Sequence, residues 1–176
     1  MFQRLRAGRR NREIIDAIYV DLVERARQPH LYEDAGIPDT VMGRFEALSI
    51  HVFLFLRRCR EDKALRPVAQ DVVDRFIADV DRSIRELGVG DQSVPKRMRK
   101  LAGIFYERVK AYDPAMDAEP GSGRLAEALR PRAVAPDAGE GAPQRLAAYM
   151  RETGNCLEAV PAAAILAGRL EMREAT

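Results

Sequence analysis

The chain has 176 residues, 47% of them hydrophobic, with 29 Lys and Arg against 27 Asp and Glu and a formal net charge of +2. That length supplies one ordinary domain with a real core, and charge this evenly matched argues against a generally polycationic nucleic-acid binder. The most apolar run, Leu48 to Leu56, is far shorter than the roughly 20 residues a membrane-crossing helix needs, so nothing here spans a bilayer.

The first dozen residues, MFQRLRAGRRNR, hold five arginines and no acid. They read as a basic tail, residues 1–12, that stays solvated and would be drawn to anionic lipid or RNA. No apolar stretch follows to make a secretory signal, whereas an arginine-rich, acid-poor composition is compatible with a short mitochondrial presequence.

A helical core is predicted over 13–112. Ile14, Ile18, Leu22 and Ala26, flanked by Ile15, Tyr19 and Val23, recur at helical spacing on one face, and this helix should end near Gln28 and Pro29. Gly36-Ile37-Pro38-Asp39-Thr40 is a turn whose Asp39 or Thr40 can cap a second helix over Thr40–Arg60. Its second half, Leu48 to Leu56, is apolar in nearly every direction, which predicts a central helix buried on all sides. Arg57, Arg58 and Arg60 then emerge into water.

The third helix starts with Pro67 in its first turn and carries Val68, Val72, Val73, Phe76, Ile77, Val80, Ile84 and Leu87 inward. Asp71, Asp74 and Asp81 point the other way among Arg75, Arg82 and Arg85. Asp79 falls on the apolar side beside Val72 and Phe76, where a carboxylate is expected to cap or pair with a neighbouring chain. Gly88 is a left-handed stop, GVGDQS a tight connection, and Ser93 a cap for the fourth helix. That helix turns Val94, Met98, Leu101, Phe105, Val109 and Tyr112 inward and Lys96, Arg99, Lys100 and Lys110 outward, with Arg97 to one side.

Residues 113–143 are rich in proline and glycine and read as a loose arm in which only Leu125 to Arg130 looks helical. Two short helices, Gln144–Glu152 and Leu157–Ala167, follow in a C-terminal part, 144–176, that packs on the core. No strand pattern occurs. The fold class is all-α, a single helical domain of four long helices.

Catalytic motifs are missing. His30 and His51 have no histidine or cysteine at ligand spacing, and His51 reads as a satisfied residue at the core edge. The aspartates at 71, 74, 79 and 81 spread around their helix axis instead of converging on a cation. GVGD is half of a phosphate-binding fingerprint and follows a helix where a strand is required. Cys59 and Cys156 match no disulfide or zinc spacing, which fits a reducing compartment and two small apolar side chains. The residues alone describe a helical binding module with a basic patch, non-enzymatic, without cofactor or metal.

ARQPHLYEDAGIPDTVMGRFEALSIHVFLFLRR, DVDRSIRELGVGDQSVPKRMRK and FYERVKAY resemble the ubiquinol-cytochrome c chaperone family over about residues 14–113, and RLAAYMRET with ILAGRL resembles its C-terminal part. The resemblance implies an assembly chaperone that binds newly made cytochrome b and promotes assembly of ubiquinol-cytochrome c reductase. In mitochondria such members work beside the ribosomal exit tunnel with a small partner; the short N-terminus is more like bacterial members. That places the protein in the cytoplasm, peripheral to the inner membrane, or in the mitochondrial matrix if its source is eukaryotic. Cytochrome b, the ribosome and an anionic membrane surface are the expected partners, and DNA is not.

Two sites follow. Phe53, Phe55 and Leu56 either floor a client groove rimmed by charge or belong to a closed core. Lys96, Arg97, Arg99 and Lys100, with Arg57 and Arg58, form an expected docking patch for an anionic partner. The competing readings are a plain RNA- or ribosome-binding adaptor, and a helical enzyme or carrier for a prenyl or quinone-like ligand, which would need a deep pocket with converging polar groups.

Overall fold

The computed structural model describes residues 2–86 and 94–171, the side chains of 2–7, 84, 94, 95 and 97 excepted. The elements are α1 (Phe2–Ala26), α2 (Pro29–Glu33), α3 (Val41–Cys59), α4 (Arg66–Glu86), α5 (Val94–Asp117), a 3-10 turn (Pro120–Ser122), α6 (Arg124–Ala133), α7 (Ala142–Glu158) and α8 (Ala162–Leu166). Among the described residues there is no strand.

α3 organises the rest. The Thr40 hydroxyl accepts the Gly43 amide at 3.0 Å and so caps its first turn. Gly43 has to be glycine, because a Cβ there would lie 1.8 Å from the Pro38 carbonyl oxygen. Beyond this entry turn α3 is buried over most of its length, and α1, α4, α5, α6 and α7 all pack on it. α1 also packs on α4, α4 on α5, α5 on α6 and α6 on α7, wrapping the axis in neighbours. Aromatic rings fill the middle: Phe45 stacks on Phe76 at 5.6 Å, Phe76 meets Phe105 edge-on at 5.3 Å, and Phe53 meets Tyr112 edge-on at 5.8 Å.

Four expectations need correcting. α1 begins at Phe2, so the basic stretch is the first part of a helix instead of a separate tail, although residues 8–13 stay exposed; no proline interrupts it, and Asn11 bonds Asp71 of α4 at 2.8 Å. The prolines of 113–143 do not make that segment loose. α5 runs through Pro114 to Asp117, where only late hydrogen bonds are at risk, and α6 buries Leu125, Ala126, Leu129 and Ala133. α7 is continuous through Thr153 to Cys156, and the break comes at Pro161, which precedes α8 as its N-cap. Finally, Asp81 is 2% exposed and pairs with Arg85 at 3.1 Å; it lies one turn beyond Ile77 and is covered with it. Leu87, Gly88, the GVGDQS connection and the Ser93 cap lie outside the described residues.

The C-terminal half is fastened by arginines that reach backbone carbonyls. Arg151 donates to Ala115, Met116 and Ala118 at 3.0 to 3.1 Å, supplying partners that the end of α5 lacks. Arg145 donates to the Asp34 carbonyl at 2.6 Å. Nearby the Gly36 carbonyl accepts the Ala135 amide at 2.8 Å, and with φ at +76° and Ala138 and Ala142 2.8 Å from any added Cβ, position 36 excludes other residues.

Candidate functional site

The end of α1, α2, the start of α3, the C-terminal part of α4 and Leu101 of α5 line an open groove of about 1090 Å³. Val23, Phe45, Leu48, Val80 and Leu101 supply apolar lining. Val41 and Met42, the first two residues of α3, sit at its lip 50% and 49% exposed. Large apolar side chains left this open are the kind of surface that partners use. Arg27, Glu33, Asp39, Arg44, Asp79 and Glu86 provide the charge around it.

Asp79 shows how one wall is held. It accepts the Tyr19 hydroxyl at 3.0 Å and an Arg75 donor at 3.3 Å, while Arg75 also bonds Asp16 at 3.0 Å and lies 4.8 Å above the Tyr19 ring. Burial, reinforced by the charge of Asp79, pushes the Tyr19 hydroxyl upward, so it remains a donor. The expected cross-chain partner of Asp79 is therefore on α1.

The sequence-predicted groove residues lie elsewhere. Phe53 and Phe55 are 1% and 0% exposed, so neither ring offers a client any appreciable surface; helices on every side of α3 close them in. Leu56 is half-buried and, with Phe53, borders a smaller pocket of about 330 Å³ beside Arg57, Arg60 and Arg66.

The basic residues also fall in two places. Lys96, Arg99 and Lys100 are exposed at the start of α5; the Arg97 side chain lies outside the described residues. Arg57 pairs with Asp113 at 2.5 Å and with Asp117 at the other end of α5. Asp113 is at least thirteen residues beyond Lys100, about 20 Å along a helix. Arg58 donates from Nε and Nη2 to the Val160 carbonyl at 3.2 and 2.7 Å, clasping the loop between α7 and α8. Arg57 and Arg58 are thus internal fasteners, remote from the Lys96 end.

Two polar clusters escaped the sequence reading or were only partly seen. Glu46, 3% exposed, receives Arg108 through Nε and Nη2 at 2.6 to 3.2 Å; Arg108 also reaches Glu107, which Arg132 of α6 holds at 2.7 Å. Hydrogen bonds from Arg132 and Arg108 hold Glu107 down at about 2. The signal was present, since Glu46 shares the helical stripe of Ile50 and Phe53, where a carboxylate must find a cation. His51 contacts the Ala47 carbonyl at 2.7 Å through Nδ1 and the Tyr149 hydroxyl at 2.7 Å through Nε2. A carbonyl can only accept, so Nδ1 carries the proton and Nε2 accepts from tyrosine. Burial brings His51 down to about 4. Burial likewise pushes the Cys59 thiol up to about 12, leaving it an apolar core residue.

Among the described residues no group of three or more His, Cys, Asp or Glu could hold a metal, and no helix is long and apolar enough to cross a membrane.

These features define the class: an all-α, single-domain protein built around one buried helix. Within that class, the chain belongs to the ubiquinol-cytochrome c chaperone family, whose model matches residues 33–172. It is similar to the ubiquinol-cytochrome-c reductase complex assembly factor 1 of Xenopus laevis, 26% identical over 97 residues that make up 54% of this chain and 48% of the frog protein. The chain spans about half the length of that relative. Its fold is similar to the crystal structure of the Cbp3 homolog from Brucella abortus, with a TM-score of 0.84, 41% identity, and coverage of 99% of this chain and 97% of the other.

Proposed function

We propose that this protein is a non-enzymatic assembly chaperone of ubiquinol-cytochrome c reductase, and that it shelters an apolar segment of newly made cytochrome b in the groove between α1, α2, α3 and α4. The observation that carries this reading is the groove itself, with Val41 and Met42 half exposed at its lip in a member of this family. A membrane polypeptide must be kept from aggregating before its helices pack, and an apolar groove that accepts a helix does that. At about 1090 Å³ the groove lies at the upper end of small-molecule sites, and it is open rather than enclosed, which favours a polypeptide over a prenyl or quinone-like ligand.

Lys96, Arg97, Arg99 and Lys100 then serve as a contact for an anionic surface, ribosomal RNA or lipid headgroups, and the protein works at the cytoplasmic side of the inner membrane. Arg57 and Arg58 are left out of the proposed contact, because Nη1 and Nη2 of Arg57 and Nε and Nη2 of Arg58 are engaged within the fold. The test is haem b spectroscopy of membranes from a deletion strain grown under conditions that require the complex. Haem b should fall while the transcripts persist; an unchanged haem b signal refutes the function.

A further inference from the structure

The charge around the groove has a sign opposite to that of the chain. Among the described residues its lining holds four carboxylates, Glu33, Asp39, Asp79 and Glu86, against two arginines, Arg27 and Arg44, whereas the whole chain carries a formal +2. Arg44 is held by Asp39 at 2.8 Å, and Asp79 is committed to Tyr19 and Arg75. Glu33 and Glu86 are exposed, and neither forms an ion pair among the described residues. An apolar trough with two available carboxylates at its edge selects for more than hydrophobicity.

Resting on the reading of the groove as a client site, we propose that its preferred occupant is an apolar helical segment that ends in lysine or arginine, with the basic end held by Glu33 and Glu86. The size fits. A helix about 10 Å across rising about 1.5 Å per residue fills roughly 120 Å³ per residue, so a groove of about 1090 Å³ takes about nine residues, or two and a half turns. Long basic side chains can lay their methylenes on the apolar wall and place the charge at the rim. Segments of this chemistry are what a membrane protein presents on its cytoplasmic side, where lysine and arginine flank the apolar spans. The acidic rim would therefore set the direction in which a client lies, with its basic flank toward α2 and the end of α4.

The experiment uses three synthetic helical peptides with the same alanine-leucine body and two terminal lysines, two terminal glutamates or no terminal charge, titrated against the full chain by fluorescence anisotropy. At low salt the lysine peptide should bind about five- to tenfold more tightly than the glutamate peptide, the range for two surface ion pairs, and high salt should collapse the difference. Glu33→Lys with Glu86→Lys should reverse the order, and Met42→Asp should weaken all three. Equal binding of the three peptides to the wild type overturns the charge selectivity and leaves the groove function standing. Binding of the lysine peptide that neither variant alters overturns the site. Light scattering that shows a dimer abolished by Met42→Asp makes a second copy of this chain the occupant and overturns the proposal. Failure of the chaperone function itself would be read separately, as unchanged haem b in the deletion strain.

Discussion

Phe53→Ala separates core from groove. The ring is 1% exposed and meets the fully buried Tyr112 edge-on at 5.8 Å. Its removal loses the transfer free energy of the phenyl group, the aromatic contact, and the packing around the hole. Because α3 is enclosed by five helices, the hole has little freedom to collapse, so the cost should fall in the upper part of the usual range, about 4 to 5 kcal/mol. For a domain of this length each kcal/mol moves the melting temperature by about 2 to 4 °C, which gives a fall of about 8 to 20 °C. Far-UV circular dichroism melts measure it directly. Met42→Ser is the counterpart: at 49% exposure it should change stability by no more than about 0.5 kcal/mol while peptide capture falls. The reasoning is refuted if Phe53→Ala melts within about 2 °C of the wild type, or if Met42→Ser captures peptide as well as the wild type does.

Arg108→Met strands the buried Glu46 carboxylate and should cost about 3 to 5 kcal/mol in urea unfolding, much of it recovered when Glu46→Leu is added; strictly additive single changes would show that the pair is not coupled. His51 has an ordinary value of 6.5 and a folded value of about 4, so between these pH values the unfolded chain binds a proton that the native chain does not. Its contribution is complete above pH 6.5 and is lost as pH falls toward 4, roughly 3 kcal/mol in all; urea midpoints of the wild type should drop more steeply over that window than those of His51→Gln, and parallel curves refute the assignment. Replacing Lys96, Arg97, Arg99 and Lys100 with glutamate should leave the melt unchanged and abolish a salt-sensitive co-sedimentation with ribosomes or anionic liposomes; co-sedimentation equal to the wild type at low salt makes this a solvated face.

The central helix could be read from the chain because its evidence is local: Leu48 to Leu56 leaves no polar side, and only burial all round accommodates that. Asp79 was legible for the same reason, as a carboxylate out of place on an apolar stripe. Glu46 carries an equal signal beside Ile50 and Phe53, a carboxylate on an apolar stripe. Arg57 and Arg58 could not be understood locally, since the groups that engage them are Asp113 and Asp117 on α5 and a carbonyl 102 residues away in sequence. The same holds for Pro114 and Pro131, which read as breakers. Helices tolerate them here because α6 and α7 pack on each other and Arg151 serves the end of α5, contacts visible only in the fold. The groove is assembled from the ends of several elements, so no periodicity reports it. Its one local trace is Val41-Met42, an apolar pair in the first turn of a helix, where polar residues are usual.

Which arginines are engaged decides where this protein can meet a partner. Arg58 of α3 and Arg145 and Arg151 of α7 donate to backbone carbonyls, and Arg57, Arg108 and Arg132 to carboxylates, so these six arginines direct their charge into contacts within the fold. Among the described residues α5 exposes Lys96, Arg99 and Lys100 near its start and Lys110 further along, and Leu101, next to Lys100, already lines the groove. A segment seated in the groove would thus lie within about one helical turn of a surface able to engage phosphate. In the proposed arrangement the acidic rim would face the client and the basic turn would meet the anionic partner. An anionic bilayer or a ribosome held by that turn would keep the client's apolar segment close to its place of synthesis or insertion, whereas a patch at Arg57 and Arg58, about 20 Å along α5, would hold it at the wrong end.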